Sequence, residues 1–211
     1  MQHKNIPFRG LKIVLTGGPG VGKTSIIEEL KKRGFTVKLE IFTELFERAE
    51  KTVGLDKLFE DLPKLLHELI ILQQSLESDV GNGEVIFYDR GMIDILGFAH
   101  NLNLTFSPED KKIVESARYD GVFIIEPLPS ECYVQNNIRR QSFTESLEHH
   151  AQVSQCYLNY YNQIGKNAQK HLIFVPNYHA EKEFPTKSPL QEAVAKRVDF
   201  ILQKLSLLDD K

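Results

Sequence analysis

Residues 17–24 read GGPGVGKT and match the phosphate-binding pattern G-x-x-x-x-G-K-[ST]. The framework positions of that pattern are Gly17, Gly22, Lys23 and Thr24. Glycines let backbone N–H groups come close to phosphate oxygens, and a helix starting at about Gly22 would turn its positive end toward the same anion. A glycine-rich turn without a ligand is the alternative. The apolar run before the loop and the helical pattern after it favour a site for a nucleoside triphosphate.

The chemistry of such a loop is phosphoryl transfer, and the expected cofactors are ATP and Mg²⁺. The residues predicted to bind the nucleotide are Gly17, Gly18, Pro19, Gly20, Val21, Gly22, Lys23, Thr24 and Ser25. Lys23 would reach the β- and γ-phosphates and is a predicted catalytic residue, and the Thr24 hydroxyl would bind the metal ion. The chain contains no N-K-x-D, the guanine-binding pattern of small GTPases. Guanine is therefore disfavoured, although no residue specifies adenine.

Asp89 follows the apolar and aromatic residues 85–88, at the carboxyl end of a predicted strand. Ligands of open α/β sheets bind at that end of the strands, and an acid there holds the metal ion in phosphoryl transfer. We therefore predict that Asp89 is a catalytic residue that binds Mg²⁺ together with Thr24. The alternative is that Asp89 caps the next helix. The residue after it is Arg90, not the Glu with which AAA+ motors polarise a water molecule.

The triplet D-R-G at 89–91 resembles the D-R-x or E-R-x signature of thymidylate and deoxynucleoside kinases, in which the basic residue lies beside the acceptor. The resemblance implies that Arg90 binds the substrate, with a structural ion pair as the alternative. Glu40 is predicted to end a strand at 35–40 beside the same crevice. Nucleoside kinases use a carboxylate there to accept the proton of the phosphorylated hydroxyl, so Glu40 is a predicted catalytic and substrate-binding residue, and Glu44 could share the site. An acid that only favours the start of a helix is the alternative for Glu40.

A helical pattern from 131 to 164, with a break near 141–144, predicts a lid at about 131–165. P-loop kinases place arginines in such a lid, so Arg139 and Arg140 are predicted catalytic residues that cover the γ-phosphate. Adjacent residues cannot share one face of a helix, and we expect at most one of the two to reach the phosphates. A pair of solvated surface arginines is the alternative.

Five further residues attract attention by type and position. His149 and His150 are neighbours and therefore face different ways on a helix, and no additional soft ligands accompany them, so we expect no zinc site. Tyr157 and Tyr161 lie four residues apart, which predicts packing in the core. Tyr178 follows the last predicted strand and is a candidate for stacking on adenine.

The positions of these motifs depend on an alternation of apolar, β-rich runs with helical patterns, which predicts an α/β fold. We expect a P-loop NTPase three-layer sandwich with a five-stranded parallel sheet and a helical lid. The predicted strands are 11–16, 35–40, 85–89, 121–126 and 172–175. The predicted helices are 22–33, a short one after the second strand, 56–78, 92–101, 108–117, the lid, and a last helix with Val194, Val198, Ile201 and Leu205 on one face.

Composition narrows the class of protein. The 211 residues include 26 basic and 29 acidic side chains, giving a net charge of −3, and no basic run points to a nucleic acid or to a membrane surface. We expect one domain over residues 1–211, because no repeat or linker divides the chain. The beginning of the chain has no apolar run of signal-peptide length, and Cys132 and Cys156 are far apart, so we expect a cytoplasmic protein with reduced thiols.

The chain resembles a group of small bacterial P-loop proteins known as AAA-family or predicted ATPases, whose nearest functional relative is the ribosylnicotinamide kinase domain of the bacterial NAD-biosynthesis regulator. The likeness lies in LTGGPGVGKTS at 15–25, the Glu40 region, VIFYDRGMIDILGFA at 85–99 and RRQSF at 139–143. The resemblance implies a nucleoside-kinase-like fold with strand order 2-3-1-4-5. Leu39 stands where the group usually has proline.

Two hypotheses about function follow. The first is a kinase that transfers the γ-phosphate of ATP to a small, nucleoside-like acceptor. The second is a nucleotide-dependent switch with slow hydrolysis, which regulates a protein partner and uses the lid as its moving element. The predicted partners are therefore a nucleoside triphosphate and a small-molecule acceptor, with a protein partner only under the second hypothesis.

Overall fold

The sheet has five parallel strands in the computed structural model, which describes residues 10–52, 54–78, 84–133, 141–178, 189–206 and 208. The strands are β1 (Leu11–Thr16), β2 (Thr36–Lys38), β3 (Val85–Asp89), β4 (Gly121–Ile125) and β5 (Leu172–Val175). Their spatial order is β2-β3-β1-β4-β5, and every neighbouring pair is parallel. The predicted fold class and strand order are therefore confirmed. β1 lies at the centre, so the loop that follows it opens at the carboxyl edge of the sheet between β3 and β4.

Helices cover both faces of this sheet. Their bounds are α1 (Lys23–Lys32), α2 (Ile41–Thr52), α3 (Leu55–Leu58), α4 (Leu62–Ser78), α5 (Asp94–Asn101), α6 (Pro108–Ser116), α7 (Phe143–Gln163), α8 (Ala168–His171) and α9 (Pro189–Leu205). Alternate strand residues point to opposite faces. On one face, Ile13, Leu15 and Phe87 pack with α1 and α9. On the other face, Val14 and Tyr88 pack with α2, α4, α5, α6 and α7.

Three predicted elements have different bounds in the structure. β2 ends at Lys38, so Glu40 lies in the link before α2 and does not end the strand as predicted. The single helix predicted at 56–78 is divided, because the Asp61 carboxylate accepts a hydrogen bond from the Lys64 N–H at 3.1 Å and starts α4 anew. In the segment predicted as a two-piece lid, a short 3-10 helix at Ser130–Cys132 precedes α7. Residues 134–140 lie outside the described part of the chain.

The beginning of α7 is specified locally. Ser142 accepts a hydrogen bond from the Glu145 N–H at 3.2 Å, and the Glu145 carboxylate accepts one from the Ser142 N–H at 2.6 Å, which is a capping box. Farther along α7, Val153, Tyr157, Tyr160 and Tyr161 are buried in the core, as predicted for Tyr157 and Tyr161. Within the described residues, no helix has the length and apolar character needed to cross a membrane.

Candidate active site at the phosphate-binding loop

The glycine-rich loop joins β1 to α1 at the centre of the sheet. Gly17, Gly20 and Gly22 have φ angles of 136°, 78° and 89°, a backbone region that side chains with a Cβ rarely adopt. The Lys23 ammonium turns back over the loop and donates to the carbonyl oxygens of Gly17 at 3.1 Å and Gly18 at 2.9 Å. Burial, reinforced by the nearby guanidinium of Arg90, lowers the pKa of Lys23 to about 8.

Asp89 is the last residue of β3 and pairs in register with Leu15 of β1, directly before the loop. Its side chain is buried, and its Oδ1 atom has no hydrogen-bond partner among the described residues. Burial, together with the negative charge of Glu40, raises the pKa of Asp89 to about 6, against the opposing effect of Lys23 and Arg90. Helix α5 begins only at Asp94, so Asp89 does not cap that helix. A buried carboxylate oxygen without a partner is suited to a cation.

Arg90 connects three parts of the site. Its Nε donates to Glu40 Oε1 at 2.6 Å, and its Nη1 donates to the Gly17 carbonyl and to Asp94 Oδ1, each at 3.1 Å. Burial opposes the charge, but the carboxylates of Glu40, Asp94 and Asp89 outweigh it and raise the pKa of Arg90. The ion pair that was the alternative for Arg90 is therefore present, and the same side chain also contacts the Gly17 carbonyl of the loop.

Asp94 is a buried residue that sequence reasoning missed. Its Oδ1 accepts from Thr16 Oγ1 and Arg90, and its Oδ2 accepts from the Gly91 N–H at 2.9 Å and the Tyr157 hydroxyl at 2.7 Å. This carboxylate thus joins the end of β1, the D-R-G triplet and α7. The available signal was an acid in the first turn of a helix immediately after D-R-G, which is common for reasons of helix dipole alone.

The residues predicted to bind the metal ion fit Mg²⁺. Thr24 is exposed at the start of α1, and Asp89 supplies the carboxylate oxygen without a partner. No group of three or more His, Cys, Asp or Glu residues in the described part of the chain is arranged to hold a metal ion. Mg²⁺ bound with a nucleotide takes only one or two protein carboxylates and completes its coordination with phosphate oxygens and water. A site that combines one hydroxyl and one carboxylate agrees with that pattern.

Helix α7 lies against the loop, a contact that was not predicted. Ser146 Oγ donates to the Pro19 carbonyl at 2.6 Å, and His150 Nδ1 accepts from the Gly18 N–H at 3.2 Å. A Cβ atom on Gly18 would lie 2.6 Å from the Ser146 carbonyl oxygen. Burial lowers the pKa of His150, and burial with the Arg90 charge lowers that of His149 to about 4. Both imidazoles are therefore neutral at physiological pH, and His150 can act as an acceptor.

Arg197 of α9 contacts the loop from another side. It is 2% exposed, and its Nη1 donates to the Val21 carbonyl at 2.7 Å. Its Nη2 donates to the Glu126 carbonyl at 3.0 Å, and its Nε donates to the Pro176 carbonyl at 3.2 Å. Burial lowers the pKa of Arg197 to about 10, so the guanidinium remains charged at neutral pH. An arginine on a helix near the end of the chain carries no sequence signal for this role.

The remaining predicted residues are placed as follows. Ser25 is half-buried in α1, and Glu44 lies in the first turn of α2. Tyr178 is half-buried in the segment after β5, where Asn177 donates to the Pro127 carbonyl at 3.0 Å. Arg139 and Arg140 lie outside the described residues.

Fold and site together define a P-loop domain, with a parallel sheet of order β2-β3-β1-β4-β5 and a glycine-rich loop between β1 and α1. The chain belongs to the AAA_28 family of AAA domains, which residues 12–167 match. The predicted resemblance to this group is thereby confirmed. No curated protein matches the sequence.

Solved structures share the fold at low sequence identity. The NadR protein in complex with NR is 14% identical with a TM-score of 0.58, over 91% of this chain and 52% of the NadR chain. Thymidylate kinase from Ehrlichia chaffeensis is 11% identical with a TM-score of 0.57, over 92% of this chain and 98% of its own. Deoxyadenosine kinase from M. mycoides is 19% identical with a TM-score of 0.53, over 93% of this chain and 98% of its own. The chain therefore spans about half of the NadR protein and nearly the full length of the two kinases.

Proposed function

We propose that this protein is an ATP- and Mg²⁺-dependent kinase that transfers the γ-phosphate to a hydroxyl group of a small, nucleoside-like metabolite. The observation that carries the proposal is the position of Glu40. The 2.6 Å ion pair with Arg90 holds this carboxylate at the mouth of the phosphate-binding loop, where its charge influences both Lys23 and Asp89. We take the loop, Asp89 as the metal ligand and Glu40 as the base to form one active site.

In the proposed complex, residues 17–25 hold the triphosphate of ATP, and Lys23 contacts the β- and γ-phosphates. Thr24 and Asp89 bind Mg²⁺, which when bound neutralises charge on the phosphate oxygens. Of the solved relatives, the NadR protein has been obtained with NAD and AMP-PNP, and this supports an adenine nucleotide as the donor. Arg139 or Arg140 is proposed to cover the γ-phosphate from the segment before α7.

The transfer itself needs a base and a positioned acceptor. Glu40 accepts the proton of the acceptor hydroxyl as the oxygen–phosphorus bond forms and the bond between the γ-phosphorus and the β-phosphate oxygen breaks. Arg90 orients Glu40 and links it to the Gly17 carbonyl. Because Arg90 is already paired with Glu40 and Asp94, an acceptor phosphate would add negative charge beside these two carboxylates. A neutral hydroxyl compound is the more compatible acceptor.

The burial of α7 favours this kinase over the switch hypothesis in which the long lid helix is the moving element. Val153, Tyr157 and Tyr161 are fully buried, and Tyr157 donates to Asp94 within the site. Moving α7 as a unit would expose these side chains, at about 1.5–3 kcal/mol for each large apolar residue. Conformational change linked to the nucleotide is therefore expected outside α7. Equal protease protection of residues 131–165 with ATP and with ADP would exclude a switch whose moving element is the lid.

The decisive experiment is ATP consumption with Mg²⁺ against a panel of nucleosides, nucleotides and ribosylnicotinamide. We expect one nucleoside-like acceptor to accelerate turnover, and Lys23→Ala to abolish the acceleration. Lys31→Ala is the matched control, because Lys31 is an exposed lysine of the same helix α1. Slow turnover that no acceptor stimulates would refute the kinase proposal.

A further inference from the structure

The backbone carbonyls of the phosphate-binding loop are held by side chains from outside the loop. Ser146 of α7 donates to the Pro19 carbonyl at 2.6 Å, and Arg197 of α9 donates to the Val21 carbonyl at 2.7 Å. Neither residue belongs to the G-x-x-x-x-G-K-[ST] pattern, and they lie 127 and 176 residues away from their partners along the chain.

Peptide geometry gives these two contacts a consequence for anion binding. A trans peptide unit is planar, so its N–H points opposite to its C=O. The Pro19 carbonyl shares its peptide with the Gly20 N–H, and the Val21 carbonyl shares its peptide with the Gly22 N–H. When Ser146 and Arg197 hold the two carbonyls, the N–H groups of Gly20 and Gly22 point away from α7 and α9.

The burial of the loop residues is uneven. Gly17, Gly18 and Val21 are buried, whereas Gly20 and Gly22 are half-buried and remain partly accessible to solvent. Glycine lacks a Cβ and adopts either sign of φ readily, so contacts from outside the loop help to select the folded conformations, in which Gly20 and Gly22 have φ angles of 78° and 89°. The buried charge of Arg197 also lies beside the loop, where it favours an anion.

We propose that Ser146 and Arg197 are positioning residues that preorganise the Gly20 and Gly22 N–H groups for the phosphates of the bound nucleotide. The proposal rests on the nucleotide binding proposed above, but not on the identity of the acceptor. Neither side chain touches the reacting atoms. They act through the two peptide units, and in their absence the binding energy of the triphosphate must order these units first.

The test uses inorganic tripolyphosphate, a probe that has the phosphates but no base. Ser146→Ala removes one neutral hydrogen bond and should weaken tripolyphosphate binding about 3- to 10-fold, whereas Arg197→Met removes a charged donor and should weaken it about 10- to 100-fold. Arg197→Lys retains the positive charge but cannot donate to all three carbonyls in the same geometry, so its loss of tripolyphosphate affinity should lie between those of the other two variants. Ser116→Ala and Arg118→Met are matched controls, because Ser116 and Arg118 also donate to backbone carbonyls, but to those of Ile113, Glu115 and Ala117 in and after α6, not to those of the loop.

A second measurement separates positioning from a general loss of stability. Labelling with ¹⁵N-glycine gives at most 13 backbone amide signals, few enough to follow individually in the ligand-free protein. We expect Ser146→Ala to shift chiefly the Gly20 signal and Arg197→Met or Arg197→Lys to shift chiefly the Gly22 signal, while the control variants shift neither.

Variants that bind tripolyphosphate as the wild type does, with unchanged Gly20 and Gly22 signals, would overturn the inference. If Arg197→Met does not fold, Ser146→Ala and Arg197→Lys still decide the question. A wild-type protein that binds neither ATP nor tripolyphosphate would overturn both this inference and the proposed function. Binding of ATP without stimulation by any acceptor would overturn the kinase alone.

Discussion

The Nε atom of Arg90 lies 2.6 Å from Oε1 of Glu40, which joins the residue after β3 to the residue before α2 across 50 positions of the chain. Arg90 adopts this position with a φ angle of 67°, in the left-handed region that non-glycine residues avoid at a typical cost of about 1–3 kcal/mol. Its contacts with Glu40, Asp94 and the Gly17 carbonyl offset that strain. A strained arginine held by three hydrogen-bond acceptors beside the loop agrees with a preorganised site for the proposed hydroxyl substrate.

The first prediction concerns the proposed base. Glu40→Gln keeps the shape of the side chain but cannot accept the proton, so acceptor-dependent turnover should fall by about 10²–10⁴, with little change in ATP affinity. Glu44→Gln, one helical turn away in α2, is the matched control and should retain nearly full activity. Steady-state kinetics combined with ATP titration separates the two effects. The assignment is wrong if Glu44→Gln proves the more damaging change.

The second prediction links Asp89, the proposed metal ligand, to stability. Between pH 3.8 and about 6 the native protein binds more protons at Asp89 than the unfolded chain does, so the free energy of unfolding falls as the pH rises. Above that range Asp89→Asn should be more stable than the wild type by about 3 kcal/mol, and it should lack Mg²⁺-dependent turnover. The difference should disappear below about pH 4.

Chemical denaturation at several pH values measures this effect. Glu60→Gln is a suitable control, because Glu60 is exposed and far from the loop in sequence. A less stable Asp89→Asn variant at pH 7.5 would contradict the account of Asp89 as a carboxylate whose charged form is disfavoured by burial.

The third prediction concerns the pH dependence of nucleotide binding. The Lys23 ammonium must be protonated to bind phosphate, and its pKa in the free protein is lowered to about 8. ATP affinity should therefore be constant below pH 8 and should fall by roughly tenfold for each pH unit above it. Lys23→Met should bind ATP weakly, and its affinity should not fall further above pH 8. Isothermal titration of both proteins from pH 6.5 to about 9.5 checks it, and an equal decline in Lys23→Met would assign the effect to another group.

The fourth prediction tests the buried acid that connects β1, β3 and α7. All the hydrogen-bond partners of Asp94 are donors, so the amide N–H of Asp94→Asn would face other donors. The change also removes one of the two carboxylates that pair with Arg90. The free energy of unfolding should fall by about 3–5 kcal/mol, which is typical of a broken buried ion pair. Asp120→Asn is a comparison, because Asp120 accepts from the Lys12 N–H outside this network. A loss in Asp94→Asn no larger than that in Asp120→Asn would refute the central role of Asp94.

The fifth prediction separates the contact of α7 with the loop from the conformational demands of glycine. Gly18 does not have a positive φ angle, so Gly18→Ala is opposed by steric contacts alone. The Ser146 carbonyl oxygen would lie 2.6 Å from the new Cβ, and the His150 Cβ is next at 3.0 Å. We expect a loss of about 1–3 kcal/mol in thermal or chemical unfolding. The obstacle is a backbone atom, so adding Ser146→Ala should not restore stability. Restoration by that second change would place the clash in the side chain.

The sequence alone determined those parts of the protein in which neighbouring residues specify one another. The glycine loop, the strand before it and the helix after it form a continuous segment, so the positions of Lys23 and Thr24 at the start of α1 could be predicted from their spacing. The position of Asp89 at the end of β3 could be predicted because it ends an apolar run. The parallel sheet followed from the alternation of strand and helix patterns, and its order of strands from the resemblance to known P-loop proteins.

The tertiary structure decided which distant residues share the site. The order of strands brings β3 beside β1, and helix packing brings Asp94, Ser146 and Arg197 to within hydrogen-bond distance of the loop or the D-R-G triplet. A serine or an arginine on an amphipathic helix has the same local pattern whether it faces solvent or a backbone carbonyl. The new start of α4, by contrast, follows from a local contact, in which the Asp61 carboxylate accepts from the Lys64 N–H. The end of β2 before Glu40 and the positions of Asp94, Ser146 and Arg197 depend on side-chain contacts and on pairing with other elements, which local sequence patterns do not contain.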